Sequence, residues 1–158
     1  MIDKSTLLFN VIEELETRAE KLSDAARVTH EEAVRAPTPM ESHSDRTRFE
    51  MQTASARQRE MAAKYEAAIK ILKGFALPKP SSKVELGSLV IAERDGKETR
   101  CFVLPEGNGI TVGTGDDMCA VVTPGSPLGK VLLGKAVGEE FAVGGAPSRL
   151  SGKVKAIE

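Results

Sequence analysis

The chain has 158 residues, enough for one ordinary domain or two small ones. Its formal net charge of -1 excludes the basic footprint of a general nucleic-acid-binding protein, so we expect no direct DNA binding. No apolar run approaches the roughly 20 residues that cross a bilayer, and the N-terminus lacks the basic start and apolar core of a signal peptide. We therefore expect a cytoplasmic protein that does not bind a membrane.

The first half of the chain contains two apolar repeats in steps of three and four residues, the spacing of coiled-coil a and d positions. The first repeat comprises Leu8, Ile12, Leu15, Ala19, Leu22 and Ala26, and the second comprises Met51, Ala54, Gln58, Met61, Tyr65, Ala68 and Leu72. Between them lies Ala36-Pro37-Thr38-Pro39, where proline removes amide donors and disfavours helical geometry in the preceding residue. The pattern predicts an antiparallel helical hairpin over residues 1–73, with a polar tip at roughly 36–48.

The predicted first helix runs from Ser5, a plausible N-cap, to Arg35, and is about 45 Å long. Residues 5–35 carry seven acids and four bases, whereas residues 47–73 carry three acids and six bases. These opposite balances favour pairing of the two helices over self-association, although a dimerising coiled coil is the alternative. The interface residues become small toward the turn, which predicts a slim tip of low stability.

The tip carries the carboxylates Glu41 and Asp45, four residues apart. If the backbone is helical there, both face the same way. Paired carboxylates suit Mg²⁺, which prefers oxygen ligands. Since two carboxylates do not close a site, such a metal would be shared with a partner. The alternative is that they are ordinary solvated charges.

A second domain is predicted at residues 83–158, after a helix stop at Lys73-Gly74 and a linker at 74–82 that includes Pro78 and Pro80. Short apolar runs divided by glycines predict strands at Val84–Ile91, Arg100–Leu104, Ile110–Val112, Met118–Val122, Glu139–Val143 and Lys153–Ile157. Ser126-Pro127 is a strong helix opening, and Gly134 closes that helix. The fold class is therefore α+β, with a helical hairpin followed by one antiparallel sheet that carries one short helix.

The cysteines, Cys101 and Cys119, lie in strand-like apolar runs without metal-ligand spacing. Buried reduced thiols are favoured over a disulfide in such a context.

The segment from Ser126 to Phe141, SPLGKVLLGKAVGEEF, resembles the C-terminal signature of the Gre-type (GreA/GreB) bacterial transcription elongation factors. That family places an FKBP-like domain after an N-terminal antiparallel coiled coil, so the resemblance extends by architecture over nearly the whole chain. The segment Asp45-Arg46-Thr47-Arg48-Phe49-Glu50 further resembles a Gre-like subgroup with a Tyr-Asp-Thr-Arg motif at this place.

The resemblance implies a partner, the bacterial RNA polymerase core, whose secondary channel receives the coiled coil. In the family, tip carboxylates help to hold a catalytic Mg²⁺ and its attacking water, and the polymerase then cleaves its own backtracked transcript. The chain itself is expected not to be an enzyme, to contact the nascent transcript end only indirectly, and to hold no tight cofactor. Mg²⁺ would be bound only in the complex with polymerase.

Carried over by position, Asp45 matches the tip aspartate of the family. The cleavage factors place a glutamate three residues later and an asparagine next, where this chain has Arg48 and Phe49. An arginine repels Mg²⁺, and Glu41 substitutes for the missing carboxylate only if the turn brings it near Asp45. The signature residues implied in polymerase docking are Ser126, Pro127, Leu128, Gly129, Lys130, Gly134 and Lys135.

Three functional interpretations stay open on the sequence. The first is a secondary-channel factor that modulates elongation, by stimulating cleavage or as a non-cleaving inhibitor. The second is a peptidyl-prolyl isomerase, which needs an aromatic-lined pocket, whereas residues 74–158 contain only Phe75, Phe102 and Phe141 as aromatics. The third is an interaction module or chaperone with an FKBP-like domain that lacks isomerase activity.

Overall fold

The structure is a computed structural model that describes residues 3–35, 42–107, 109–145 and 149–158, with the backbone alone for residues 42–45. Two long helices come first, α1 at Lys4–Arg35 and α2 at Ser42–Lys73, each of 32 residues and therefore about 48 Å long. The predicted cap at Ser5 was wrong. Asp3 precedes the helix, and its carboxylate accepts a hydrogen bond from the Thr6 amide at 3.3 Å, which is the geometry of an N-cap.

The chain forms two compact units, Leu15–Ile69 and the combination of Met1–Glu14 with Lys70–Glu158. The predicted division into an arm at 1–73, a linker at 74–82 and a domain at 83–158 stays a prediction.

Contacts within the Leu15–Ile69 unit show that α1 and α2 pack antiparallel. The Ser55 hydroxyl donates a hydrogen bond to the Ala26 carbonyl at 2.9 Å, while Glu66 and Ile69 line a groove with residues 16–24 of α1. Later residues of α2 therefore lie beside earlier residues of α1. The predicted hairpin is confirmed.

The buried stripe of each helix differs by one residue from the predicted interface at several places. Leu7 and Val11 are buried at the start of α1, where Leu8 and Ile12 were predicted and are half-buried. In α2 the buried positions are Ser55 and Ala62, whereas the predicted Ala54 and Met61 are exposed. The positions 51, 55, 58, 62, 65, 69 and 72 also alternate by four and three, so periodicity permits both registers. The small side chains at Ser55 and Ala62 let the two helix backbones approach closely, which the larger Met61 would prevent.

The buried side of α2 also contains an amide oxygen without a partner. Gln58 Oε1 is shielded from solvent and accepts no hydrogen bond from the described residues. A buried acceptor without a donor costs about 1–3 kcal/mol. The polar interface position predicted at Gln58 is thus a weak point of the hairpin.

Replacing Gln58 with leucine should stabilise the hairpin by about 1 kcal/mol, because the apolar side chain of similar size removes the unpaired oxygen. Thermal unfolding followed by far-ultraviolet circular dichroism measures this gain. Gln52→Leu is the matched control, since Gln52 is an exposed glutamine of the same helix. Equal effects of the two changes would show that the gain comes from helix propensity and not from the buried oxygen.

The described residues of the C-terminal half form six strands in one sheet: β1 at Leu89–Arg94, β2 at Lys97–Val103, β3 at Thr111–Val112, β4 at Cys119–Val122, β5 at Glu140–Val143 and β6 at Leu150–Ile157. Their order across the sheet is β3-β4-β2-β1-β6-β5. All six predicted strands are present, but β1 begins five residues after the predicted Val84, and β6 begins three residues before the predicted Lys153.

The sheet is mixed, whereas the sequence predicted an antiparallel one. Four strand pairs are antiparallel, but β2 and β4 run parallel with Arg100 opposite Cys119. The reason is that residues 104–118 contain the short strand β3, which pairs with the outer edge of β4 and reverses the chain once more before β4 begins.

One face of the sheet packs against the short helix α3 at Pro127–Leu132, and Leu132 is completely buried there. The buried cluster on this face consists of Val84, Val90, Ala92, Cys101, Val103, Val122, Leu132, Phe141 and Val154.

Among the described residues no helix is both long and apolar enough to cross a membrane.

Candidate functional site

The tip residues singled out by the sequence lie at the start of α2. The helix begins at Ser42, so Asp45 and Arg48 are one helical turn apart on its backbone. Glu41 lies outside the described residues, and so does the side chain of Asp45. The predicted pairing of these two carboxylates therefore stays a prediction.

The next carboxylate along α2, that of Glu50, forms an ion pair with Arg46. Glu50 Oε1 accepts a charge-assisted hydrogen bond from Arg46 Nε at 3.1 Å, with side chains 62% and 81% exposed. Such an exposed pair stabilises the helix by only about 0.3–0.5 kcal/mol, but it keeps a guanidinium beside the first carboxylate of α2 whose side chain is described. Within the described part of the chain, no group of three or more His, Cys, Asp or Glu side chains has the arrangement of a metal site.

The distal end of the hairpin also exposes large apolar side chains. Phe49 is 69% exposed and Val34 is 67% exposed. Arg48, between Arg46 and Phe49 in sequence, is half-buried. The described distal end therefore presents guanidinium and apolar groups together with the carboxylates of Glu31, Glu32 and Glu50.

The signature around α3 is explained largely by the needs of the fold. The Ser126 hydroxyl donates to the Thr123 carbonyl at 2.7 Å and accepts from the Gly129 amide at 3.0 Å, which caps the helix. A Cβ on Gly129 would lie 1.9 Å from the Thr123 oxygen, so this position requires glycine. Leu128 packs against the buried cluster of the sheet.

The end of the same motif joins α3 to the sheet domain. The Gly134 amide donates to the Val84 carbonyl at 2.8 Å, and the Val84 amide donates to the Lys135 carbonyl at 2.8 Å. Gly134 has φ of 79°, a backbone conformation that favours glycine. Of the residues predicted to dock on polymerase, Pro127 and Lys130 expose their side chains, and docking by the set stays a prediction.

The cysteines are free, buried thiols, as predicted. Burial raises the pKa of Cys119 to about 12 and, in the same direction, the pKa of Cys101. Both side chains are therefore protonated near neutral pH. Nucleophilic chemistry requires the thiolate, so neither cysteine is a candidate nucleophile.

Sequence reasoning missed a groove at one end of the sheet, beside β2, with a volume of about 700 Å³. It is lined by Lys97, Glu98, Thr99, Arg100, Thr111, Gly115, Asp116, Met118 and Ala120. None of these is aromatic, and Phe102 and Phe141 are buried elsewhere, so the groove lacks the lining that a prolyl isomerase needs. The only sequence signal for its position was the Asp95-Gly96 turn, which sets the start of β2.

Comparison with known proteins finds no matching family model and no matching curated protein. Among solved structures, the chain is similar to Gfh1 of Thermus aquaticus, with 18% identity, coverage of 94% of this chain and 91% of that one, and a TM-score of 0.38. It is also similar to GreA factor homolog 1 of Thermus thermophilus, with 23% identity, coverage of 96% and 94%, and a TM-score of 0.39. A further structure of the transcription factor Gfh1 matches at 22% identity and a TM-score of 0.41, over 96% of this chain and 92% of that one.

Identities and TM-scores this low carry no argument about what the chain does. The resemblance to the Gre-type factors rests on the Ser126–Phe141 segment of the sequence.

Proposed function

We propose that the chain is a transcription elongation regulator that binds the bacterial RNA polymerase core and places its helical tip in the secondary channel. It acts there without cleaving RNA itself, and it modulates elongation by occupying the channel. The support comes from the Gre-like signature, from a hairpin of two 32-residue helices and from the chemistry of its tip.

The observation that carries the non-cleaving form of this proposal is the position of Arg48 on α2. It lies one helical turn after Asp45, where the family's cleavage factors have a glutamate. A guanidinium at this place repels a divalent cation and attracts the carboxylates that hold the catalytic metals of a polymerase. In the channel, Arg48 would therefore compete for those carboxylates.

The described residues do not fit the Mg²⁺ that the family resemblance implies. Glu50 is bound to Arg46, and Arg48 replaces the second metal-binding carboxylate. When bound, a second Mg²⁺ would supply an activated water for hydrolysis of the transcript. Without a second carboxylate one helical turn after Asp45, the residues of this chain exclude or reposition groups in the channel and do not present that metal.

The function is tested by adding the full chain to purified polymerase core and to a stalled, backtracked elongation complex. We expect binding to the core, slower elongation and no increase in transcript cleavage. Absence of binding would overturn the polymerase function. Strong stimulation of cleavage would overturn the non-cleaving mechanism and support a metal site formed by Glu41 and Asp45.

Charge reversal at Lys130 should weaken polymerase binding about fivefold, since losing one exposed ion pair and gaining a repulsion costs about 1 kcal/mol. Lys130 is an exposed side chain of the α3 motif. The Lys130→Glu variant is compared with Lys79→Glu, an exposed lysine outside the motif, by biolayer interferometry on immobilised core. The same loss in both variants would indicate general electrostatic attraction and not docking through α3.

A second candidate function, a protein-interaction module that grips its partner with the hairpin, is favoured by the exposure of Phe49 and Val34. Phe49→Ala distinguishes the two when compared with Phe9→Ala, because Phe9 is similarly exposed at 64% but lies near the other end of α1. A channel factor should keep its polymerase affinity within about twofold in the Phe49 variant and change mainly in its effect on elongation. A module that grips polymerase with the hairpin should instead lose about tenfold in polymerase affinity, because the variant removes one buried aromatic anchor.

A further inference from the structure

The edge of β2 is open over its first three residues. On one side, β2 pairs with β1 along its full length, from Lys97 opposite Arg94 to Phe102 opposite Leu89. On the other side, β4 pairs with β2 only from Arg100 onward. Among the described residues, no strand lies beside Lys97–Thr99 on that side.

The chain before β4 forms a turn and does not continue the pairing with β2. Gly115–Asp117 form a 3-10 turn, and Asp117 Oδ1 accepts a charge-assisted hydrogen bond from Arg100 Nη1 at 2.6 Å. The turn is closed by the hydrogen bond from the Met118 amide to the Gly115 carbonyl. A straight continuation of β4 toward its N-terminus would have paired with Lys97–Thr99. Because the chain turns instead, the edge of β2 at Lys97–Thr99 can accept one further strand, and this is the open place.

Backbone alternation shows which groups face this place. Asp95 and Gly96 both have positive φ, as in a two-residue turn whose flanking residues, Arg94 and Lys97, exchange hydrogen bonds. The odd-numbered residues of β2 therefore bond toward β1, as the Val103 amide does with the Ser88 carbonyl. The even-numbered residues bond toward β4, as the Leu104 amide, just beyond β2, does with Val122. The N–H and C=O of Glu98 thus point into the open place.

That open place is the groove of about 700 Å³ beside β2. Its apolar lining is Met118 and Ala120, with Met118 58% exposed. Its charged lining is balanced, with Lys97 and Arg100 against Glu98 and Asp116, and Arg100 is already paired with Asp117. This balance does not suit a phosphate or a nucleotide, which needs an excess of cations. It suits a peptide backbone, which offers one donor and one acceptor to Glu98.

We propose that this groove binds an extended peptide segment of the RNA polymerase, which adds to the edge of β2 through the backbone of Glu98 and places an apolar side chain on Met118. Strand addition to an open sheet edge is a general mode of peptide recognition. The inference rests on the proposed function for its partner, and it assigns the C-terminal unit a contact separate from the α3 motif.

A proline at position 98 tests the backbone contact. Because the Glu98 amide points away from β1, Glu98→Pro removes a donor in the groove and no hydrogen bond of the β1–β2 pair. We expect about fivefold weaker binding to polymerase core, the effect of one hydrogen bond. Glu98→Ala removes the side chain but keeps the amide, so a loss as large as that of the proline variant would overturn the backbone contact.

A second measurement covers the case in which the proline variant unfolds. The full chain with p-benzoylphenylalanine in place of Met118 is photo-crosslinked to purified core, with the same label at Leu150, an exposed side chain of β6, as control. We expect a Met118 crosslink to an extended segment of a polymerase subunit and none to that segment from Leu150. Binding to core without a Met118 crosslink, or with a crosslink to a helix, would overturn the groove proposal alone. Loss of all binding of the unmodified chain to core would overturn the proposed function together with it.

Discussion

Replacing Arg48 with glutamate should give the protein a transcript-cleavage activity in the backtracked complex, at least about tenfold above that of the unmodified chain. The substitution restores the spacing of two acidic residues, Asp45 and the new carboxylate, one turn apart on α2. A tenfold acceleration requires only about 1.4 kcal/mol of additional transition-state stabilisation, which is modest for a ligand to a catalytic metal. The measurement is the rate at which a labelled, backtracked transcript is shortened.

Two further variants separate charge from metal binding. Arg48→Gln removes the guanidinium without adding a carboxylate, so it should relieve the slowing of elongation but not produce cleavage. Adding Asp45→Ala to the Arg48→Glu variant should abolish the new cleavage and leave polymerase binding unchanged, because a solvated carboxylate contributes little affinity. If neither position changes any polymerase activity, the tip is not the functional end of the protein and the secondary-channel proposal is wrong.

Replacing Gly129 with alanine should destabilise the C-terminal unit by about 3 kcal/mol, near the upper end for overpacking a well-packed site. The added Cβ would meet the Thr123 carbonyl carbon at 2.7 Å as well as its oxygen at 1.9 Å. Relief requires α3 to move away from the loop, which breaks the cap made by Ser126. Urea unfolding combined with hydrogen exchange of the α3 and β4 peptides measures the loss.

Gly125→Ala provides the matched control, four residues earlier, in the turn that precedes α3. No atom lies within 4 Å of a Cβ built there, so the change should stay within about 0.5 kcal/mol. Equal effects at the two glycines would show that chain flexibility, and not the contact with Thr123, determines stability at this loop. Polymerase binding should fall in the Gly129 variant only as far as folding does, since this glycine has no side chain to offer a partner.

The sequence predicted the chemistry of the helical tip but not the groove beside β2. The departure of Arg48 and Phe49 from the cleavage-factor pattern is visible in the sequence alone, because residue identity decides whether a group binds or repels a cation. The engagement of Glu50 by Arg46 was observed only in the structure, since the spacing of four residues permits an ion pair but does not show that it forms. The groove beside β2 depends on where β4 stops pairing, and no local pattern encodes that position.

The two helices, the stop between them and the short strands with their turns follow from local sequence, because proline, glycine and apolar spacing act over a few neighbouring residues. The register that α2 buries depends instead on packing between the helices. Ala62 is buried in place of Met61 because close approach of the facing helix favours a small side chain, and Ser55 is buried in place of Ala54 with its hydroxyl bonded to the Ala26 carbonyl. The tertiary structure also sets the parallel course of β2 and β4 and the contact between Gly129 and Thr123. These features depend on contacts between distant parts of the chain, whose geometry local periodicity does not contain.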